Sequence, residues 1–147
     1  MKSGILGSDG SIKMFKYIKM SIQHKKILII GGTGSLGTEL SKRYVDSNDI
    51  YLYSRDECKH WSMAIDFNHH PNLHFIIGNI ADREKVKQTL MRYNFNIIIM
   101  AAALKHIDKC ECETNECINT NLLGTQNVLD VIEQNLDRKS TRLNSSH

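Results

Sequence analysis

Proline is all but missing. The single Pro71 lies in the polar loop "NHHPN", so nothing in the rest of the chain interrupts a strand or helix by that route. Long apolar runs are absent too. The longest, "IIIMAAAL" from Ile97 to Leu104, falls far short of the roughly 20 residues that cross a bilayer as a helix, which predicts no membrane span. No block of one charge exists either: 19 Lys and Arg against 16 Asp and Glu leave a net +3 spread over 147 residues. Without a basic face or an aromatic platform, a nucleic-acid binder is excluded. The opening stretch, "MKSGILGSDGSIKMFKYIKMSIQHKK", has no apolar h-region and no small-residue cleavage site, so the four cysteines read as reduced thiols of a cytoplasmic protein.

What is present is an alternation. Residues 1–24 carry Gly, Ser and Lys without sustained periodicity and read as a loose extension. The alternative is a basic helix touching a membrane surface, since Lys13, Lys16 and Lys19 interleave with apolar residues in "KMFKYIKM". Met14 and Met20 are alternative starts. From Lys26 onward, strand-length apolar runs alternate with segments of helical period: "KILIIG", Ser35 to Asp46, "IYLYS", Asp56 to Asn68, "LHFIIG", Asp82 to Tyr93, "NIIIMAAA", Glu113 to Glu133. Such alternation means βαβ units and a parallel sheet, and strands apolar on consecutive residues are covered on both faces. The expectation is an α/β fold, a Rossmann-like doubly wound parallel sheet of which about four strands with their helices are present, occupying residues 25–136.

The last residues, Asp137 to His147, are polar except for Leu143. One reading is a disordered terminus. The sharper one is that "DRKSTRLNSSH" can be encoded, codon for codon, by a common short-read sequencing adapter. On that reading residues 137–147 are not natural sequence, the protein breaks off near Leu136, and the tail is set aside from the fold.

The chemistry concentrates after the first strand, in "GGTGSLG". Gly31, Gly34 and Gly37 form G-x-x-G-x-x-G between a strand and a helix. Glycine allows the tight turn, lets backbone N–H groups approach a pyrophosphate and lets the helix pack close, while the helix N-terminus faces the anion. Thr33 and Ser35 add hydroxyls. The second strand ends about 20 residues on, where a ribose should lie, with Ser54, Arg55 and Asp56. An NAD site presents an acid there; Arg55 would meet a 2′-phosphate with its guanidinium and Ser54 could donate to it, which points to NADP. The plainer alternative makes Arg55 an exposed helix-start residue and Asp56 an N-terminal cap. Asn79, in "IIGNIAD", has an amide suited to an adenine edge, and Asp82 is expected to cap the next helix. The three alanines of "IIIMAAALKH" leave room beside the sheet, with Lys105 and His106 at the end where open α/β sheets bind ligands.

With these landmarks the chain from about Lys26 to Leu136 resembles the extended short-chain dehydrogenase/reductase superfamily. Within it, the likeness is to the CapD-like polysaccharide-biosynthesis group that includes UDP-N-acetylglucosamine 4,6-dehydratases. The segments "GGTGSLG", "YSRDECK", "IIGNIAD", "AAALKHI" and "ECINTNLLGTQNV" carry it, "YSRDE" and "AAALKH" being the specific ones. The resemblance implies NADP contacts from Thr33, Gly34, Ser35 and Leu36, and from Ser54 through Lys59. It also implies contacts from Asn79, Ile80 and Ala101, with Lys105 near both cofactor and sugar nucleotide. Three residues depart from the group: Ile30 for threonine, Asn79 for a frequent aspartate, and Cys58 for an aliphatic residue, a swap expected to be neutral because Cys packs as a small hydrophobe.

The implied reaction moves a hydride from C4 of a UDP-sugar to NADP, eliminates water across C5 and C6 and returns the hydride to C6, in a full-length homo-oligomer. It needs a Tyr-x-x-x-Lys pair, and this sequence has none: Tyr17, Tyr44, Tyr51, Tyr53 and Tyr93 are followed four residues on by Ser21, Asn48, Arg55, Glu57 and Ile97. The fragment itself should not catalyse. A sugar-nucleotide epimerase of the same superfamily and a non-catalytic NADP-sensing module stay open as alternatives. The remaining candidates are weaker. Cys110, Cys112 and Cys117 beside His106 match no compact zinc pattern, and C-x-C on a helix points its thiols about 200° apart, so no metal is expected. His69 and His70 read as solvated turn residues, and Trp61 as a cover for the sheet.

Overall fold

A computed structural model describes residues 22–101 and 122–145. Its elements are β1 (Lys26–Ile30), α1 (Ser35–Tyr44), β2 (Asp49–Ser54), α2 (Glu57–Asp66), β3 (Leu73–Ile77), α3 (Arg83–Tyr93), β4 (Ile97–Met100) and α4 (Gly124–Ser145). The four strands form one parallel sheet in the order β3-β2-β1-β4. Register pairs Ile30 with Tyr53 on one side and with Met100 on the other. The strand order therefore reverses between β1 and β4, and the carboxyl ends of both open at that switch point.

The consecutive apolar residues of β1 serve two cores. Ile27 and Ile29 pack with Leu52, Tyr44, Val45 and Met63 beneath α1 and α2. Leu28 and Ile30 pack with Tyr53, Val86, Leu90, Val128 and Val131 beneath α3 and α4. This is the expected doubly wound arrangement, and it explains why the strands show no apolar/polar alternation. Among the described residues no helix is long and apolar enough to cross a membrane, and no cluster of His, Cys, Asp and Glu could hold a metal. The extension (1–21 of residues 1–24), Lys105, His106, Cys110, Cys112 and Cys117 lie outside the described residues.

Five features differ from the sequence reading. Helix α1 stops at Tyr44 rather than Asp46, because the buried Asn48 amide takes over: Nδ2 donates to the Tyr44 and Ile22 carbonyls at 3.0 and 3.1 Å, and Oδ1 accepts from Lys25 N at 3.0 Å. Trp61 does not cover the sheet; it is 68% exposed. The buried positions of α2 are His60 and Met63, and the residue after His60 is turned about 100° round the helix, into solvent. Cys58 is likewise exposed, not packed as a small hydrophobe. Finally, α4 runs on through the polar tail to Ser145; the segment has neither Pro nor Gly, and its Arg, Lys and Leu residues propagate a helix already started. His70 is also less free than a solvated turn residue, with Nε2 3.4 Å from Asp46 Oδ1 and Nδ1 accepting from Asn72 N at 3.1 Å.

Candidate functional site

The site is built on the turn between β1 and α1. Gly31 adopts φ 79°, which an L side chain resists, and its N–H is anchored to the Tyr53 carbonyl at 2.8 Å, tying the turn to the neighbouring strand. A Cβ on Gly37 would overlap the Gly32 carbonyl, and one on Gly32 would strike the Leu52 side chain. The first turn of α1 is thus pressed against the turn it leaves. Gly34 is the N-cap and supplies no side-chain bond, and no acid lies in the first turn. The opening N–H groups of α1, with Ser35 and the 43%-exposed Leu36 around them, are left with the positive end of the helix dipole and no built-in anion. That cradle fits a dinucleotide pyrophosphate.

At the end of β2, Ser54 is half-buried and Arg55 exposed. Thr33 Oγ1 reaches across from the glycine turn to Ser54 Oγ at 3.5 Å, so turn and second strand end meet at one corner. The Asp56 carboxylate accepts from Lys59 N at 3.0 Å as the N-cap of α2 and lies 3.6 Å from Lys59 Nζ. The cap bond and the lysine hold its pKa below the usual carboxylate range. This acid at the end of β2 is therefore committed to the helix and to Lys59, the plainer role expected for it.

Beyond β3, Tyr53 Oη donates to the Asn79 carbonyl at 3.0 Å. Burial, with the nearby Asp82 carboxylate second, pushes this phenol up to about 12. Asn79 Oδ1 accepts from Ala81 N at 3.0 Å, shaping the loop. Asp82 caps α3 as expected, accepting from Lys85 N at 3.1 Å. Ile80 is buried in the core, its carbonyl accepting from Asn127 Nδ2 of α4 at 3.1 Å, so only its backbone can face a ligand. Ala101 is buried and donates to the Ile30 carbonyl at 2.8 Å, beside the glycine turn. The structure thus brings Gly31 to Gly37, Ser54, Arg55, Asn79 and Ala101 to the carboxyl edge of one sheet.

One residue at this corner was not singled out by the sequence reading. His60 is 4% exposed, with Nε2 2.8 Å from Ser54 Oγ and its ring 5.1 Å from that of Phe75. Burial lowers its pKa, outweighing the carboxylates of Asp56 and Glu57. The available signal was the spacing of His60, Met63 and Phe67, which lies on one helical stripe.

A family model described as polysaccharide biosynthesis protein matches residues 27–140. The chain belongs to this family. Over 124 residues it is 40% identical to a UDP-N-acetylglucosamine 4,6-dehydratase (inverting) of Campylobacter jejuni subsp. jejuni serotype O:2, covering 82% of this chain and 36% of that protein. It is 38% identical to a UDP-glucose 4-epimerase of Rickettsia rickettsii, covering 76% of this chain and 33% of the relative. Among solved structures, Pen from Bacillus thuringiensis superposes with a TM-score of 0.66 at 31% identity, over 74% of this chain and 34% of that one. The chain spans about a third of the length of the curated relatives it matches.

Proposed function

We propose that this polysaccharide-biosynthesis family member is the NADP-binding half of a sugar-nucleotide 4,6-dehydratase of the UDP-N-acetylglucosamine type. The observation that carries the cofactor is the β2 end: a serine hydroxyl and an exposed arginine stand at the ribose corner, while the adjacent Asp56 carboxylate is occupied in capping α2. Gly31, Thr33, Gly34, Ser35, Leu36 and Gly37 hold the pyrophosphate, chiefly through backbone N–H groups at the start of α1. Ser54 and Arg55 take the 2′-phosphate, with Lys59 adding charge beside Asp56. Asn79 and the Ile80 backbone border the adenine, and Ala101 leaves space at the switch point. Lys105 is assigned to both cofactor and sugar nucleotide.

When bound, NADP supplies a hydride acceptor that also returns the hydride. This chain's contribution is to orient the dinucleotide and screen its phosphates. Identity to the Campylobacter dehydratase supports the lyase reading, and identity to the Rickettsia epimerase keeps the epimerase reading beside it, because both share this half. Sequencing the native transcript separates these from an NADP-sensing module: an in-frame Tyr-x-x-x-Lys is expected, and a transcript that encodes none contradicts the enzyme.

A further inference from the structure

Ser54, which the reading above places at the 2′-phosphate, has a buried histidine behind it. Its oxygen sits 2.8 Å from His60 Nε2, accepts from Asp56 N–H at 3.4 Å and lies 3.5 Å from Thr33 Oγ1. The other ring nitrogen, His60 Nδ1, is buried and has no hydrogen-bond partner among the described residues. A neutral imidazole carries one proton, and the two placements differ in what they leave unsatisfied. A proton on Nδ1 strands a buried N–H donor and makes Ser54 spend its own proton on Nε2. A proton on Nε2 strands only a lone pair, the more tolerated defect, and turns Ser54 into the acceptor.

We propose that His60 is a positioning residue for cofactor selection: its Nε2–H donates to Ser54 Oγ, so that the Ser54 hydroxyl proton is directed outward as a donor to the 2′-phosphate of the dinucleotide. With His60 and Asp56 N–H filling its acceptor positions, Ser54 can give a hydrogen bond but take no more. That suits a phosphate, which only accepts, over a ribose 2′-hydroxyl, whose recognition by NAD enzymes needs an acceptor. In the free chain the Thr33 hydroxyl, 3.5 Å away and at the outer limit of a hydrogen bond, is a weak partner at this oxygen, and an anionic oxygen displaces it readily. Burial keeps the imidazole neutral, despite Asp56 and Glu57 on its own helix; from β3 it meets the uncharged Phe75 ring.

The inference rests on the NADP reading above, and two measurements on the purified chain separate their failures. Long-range proton–nitrogen spectra of the histidine side chains near neutral pH should show His60 protonated on Nε2 and bare on Nδ1; the opposite tautomer, or an imidazolium, overturns the inference. Calorimetric titration with NADP and NAD supplies the functional readout. His60→Leu should lower the preference for NADP about tenfold, the worth of a hydrogen bond to a charged group, with NAD affinity unchanged, while His60→Gln, whose amide can donate to Ser54, keeps the preference. Equal losses for both dinucleotides mean a packing role and overturn the inference, as does an unchanged preference in His60→Leu; in either case NADP selection by the wild type stands. A wild-type chain binding neither dinucleotide overturns both. Should His60→Leu not fold, the tautomer spectrum of the wild type still decides.

Discussion

Gly37 and Gly32 meet where α1 leaves the phosphate turn, and no side-chain rotation can relieve a Cβ directed at a backbone carbonyl. Gly37→Ala is expected to destabilise the chain by about 1–3 kcal/mol, the usual cost of overpacking, and to abolish any stabilisation by NADP; urea denaturation with and without ligand checks both. His60 makes stability depend on pH. Its folded pKa is depressed by burial, while in the unfolded chain it titrates near its ordinary value of about 6.5. Above that pH both states are neutral and its effect on stability is level. As pH falls below it the unfolded state takes up the proton first, and stability drops. Urea midpoints across this range should fall towards acid, less so in His60→Gln. At this scale the glycines, Ser54 and Arg55 were legible as candidates because their types answer to phosphate chemistry. His60 and Asn48 were not. A single histidine or asparagine carries no pattern of its own, and their roles exist only once β2, α2 and the loop beside Ile22 have come together.

Strands β1 and β2 were readable as elements because burial on both faces leaves each a long apolar run, and β3 and β4 because their runs stay largely apolar although they are only partly buried. Their helices were readable from caps and period, and boundaries shifted only where a side chain intervened, as Asn48 does at the end of α1. The expected helix from Glu113 to Glu133 is seen from Gly124 and continues to Ser145, since apolar period marks where a helix is packed, not where its backbone ends. Asp82 caps α3, and Asp82→Ala should cost about 1 kcal/mol in denaturant unfolding, with no change in dinucleotide affinity. Val131 of α4 is 1% exposed against the sheet. Val131→Ala should cost about 2 kcal/mol, twice the cap, because it removes methyl groups from the core beneath β1.

As a whole, the described chain offers the proposed dinucleotide cradle at the switch point of a parallel sheet, in a family whose matched relatives are about three times its length. Fold and candidate cofactor corner were legible together because the glycine turn is at once a packing device and the proposed phosphate site. The group that orients Ser54 was hidden because it depends on a tautomer, which no sequence displays. The proposed dehydratase chemistry needs groups that this sequence does not contain; the proposed cofactor does not. The most direct test is therefore calorimetric titration of the chain with NADP and with NAD, repeated for Arg55→Ala. NADP should bind at least about tenfold more tightly, the worth of one charged hydrogen bond to the 2′-phosphate, and Arg55→Ala should erase that margin without weakening NAD. Equal affinities, tighter binding of NAD, or a margin that survives the loss of Arg55 would contradict the account.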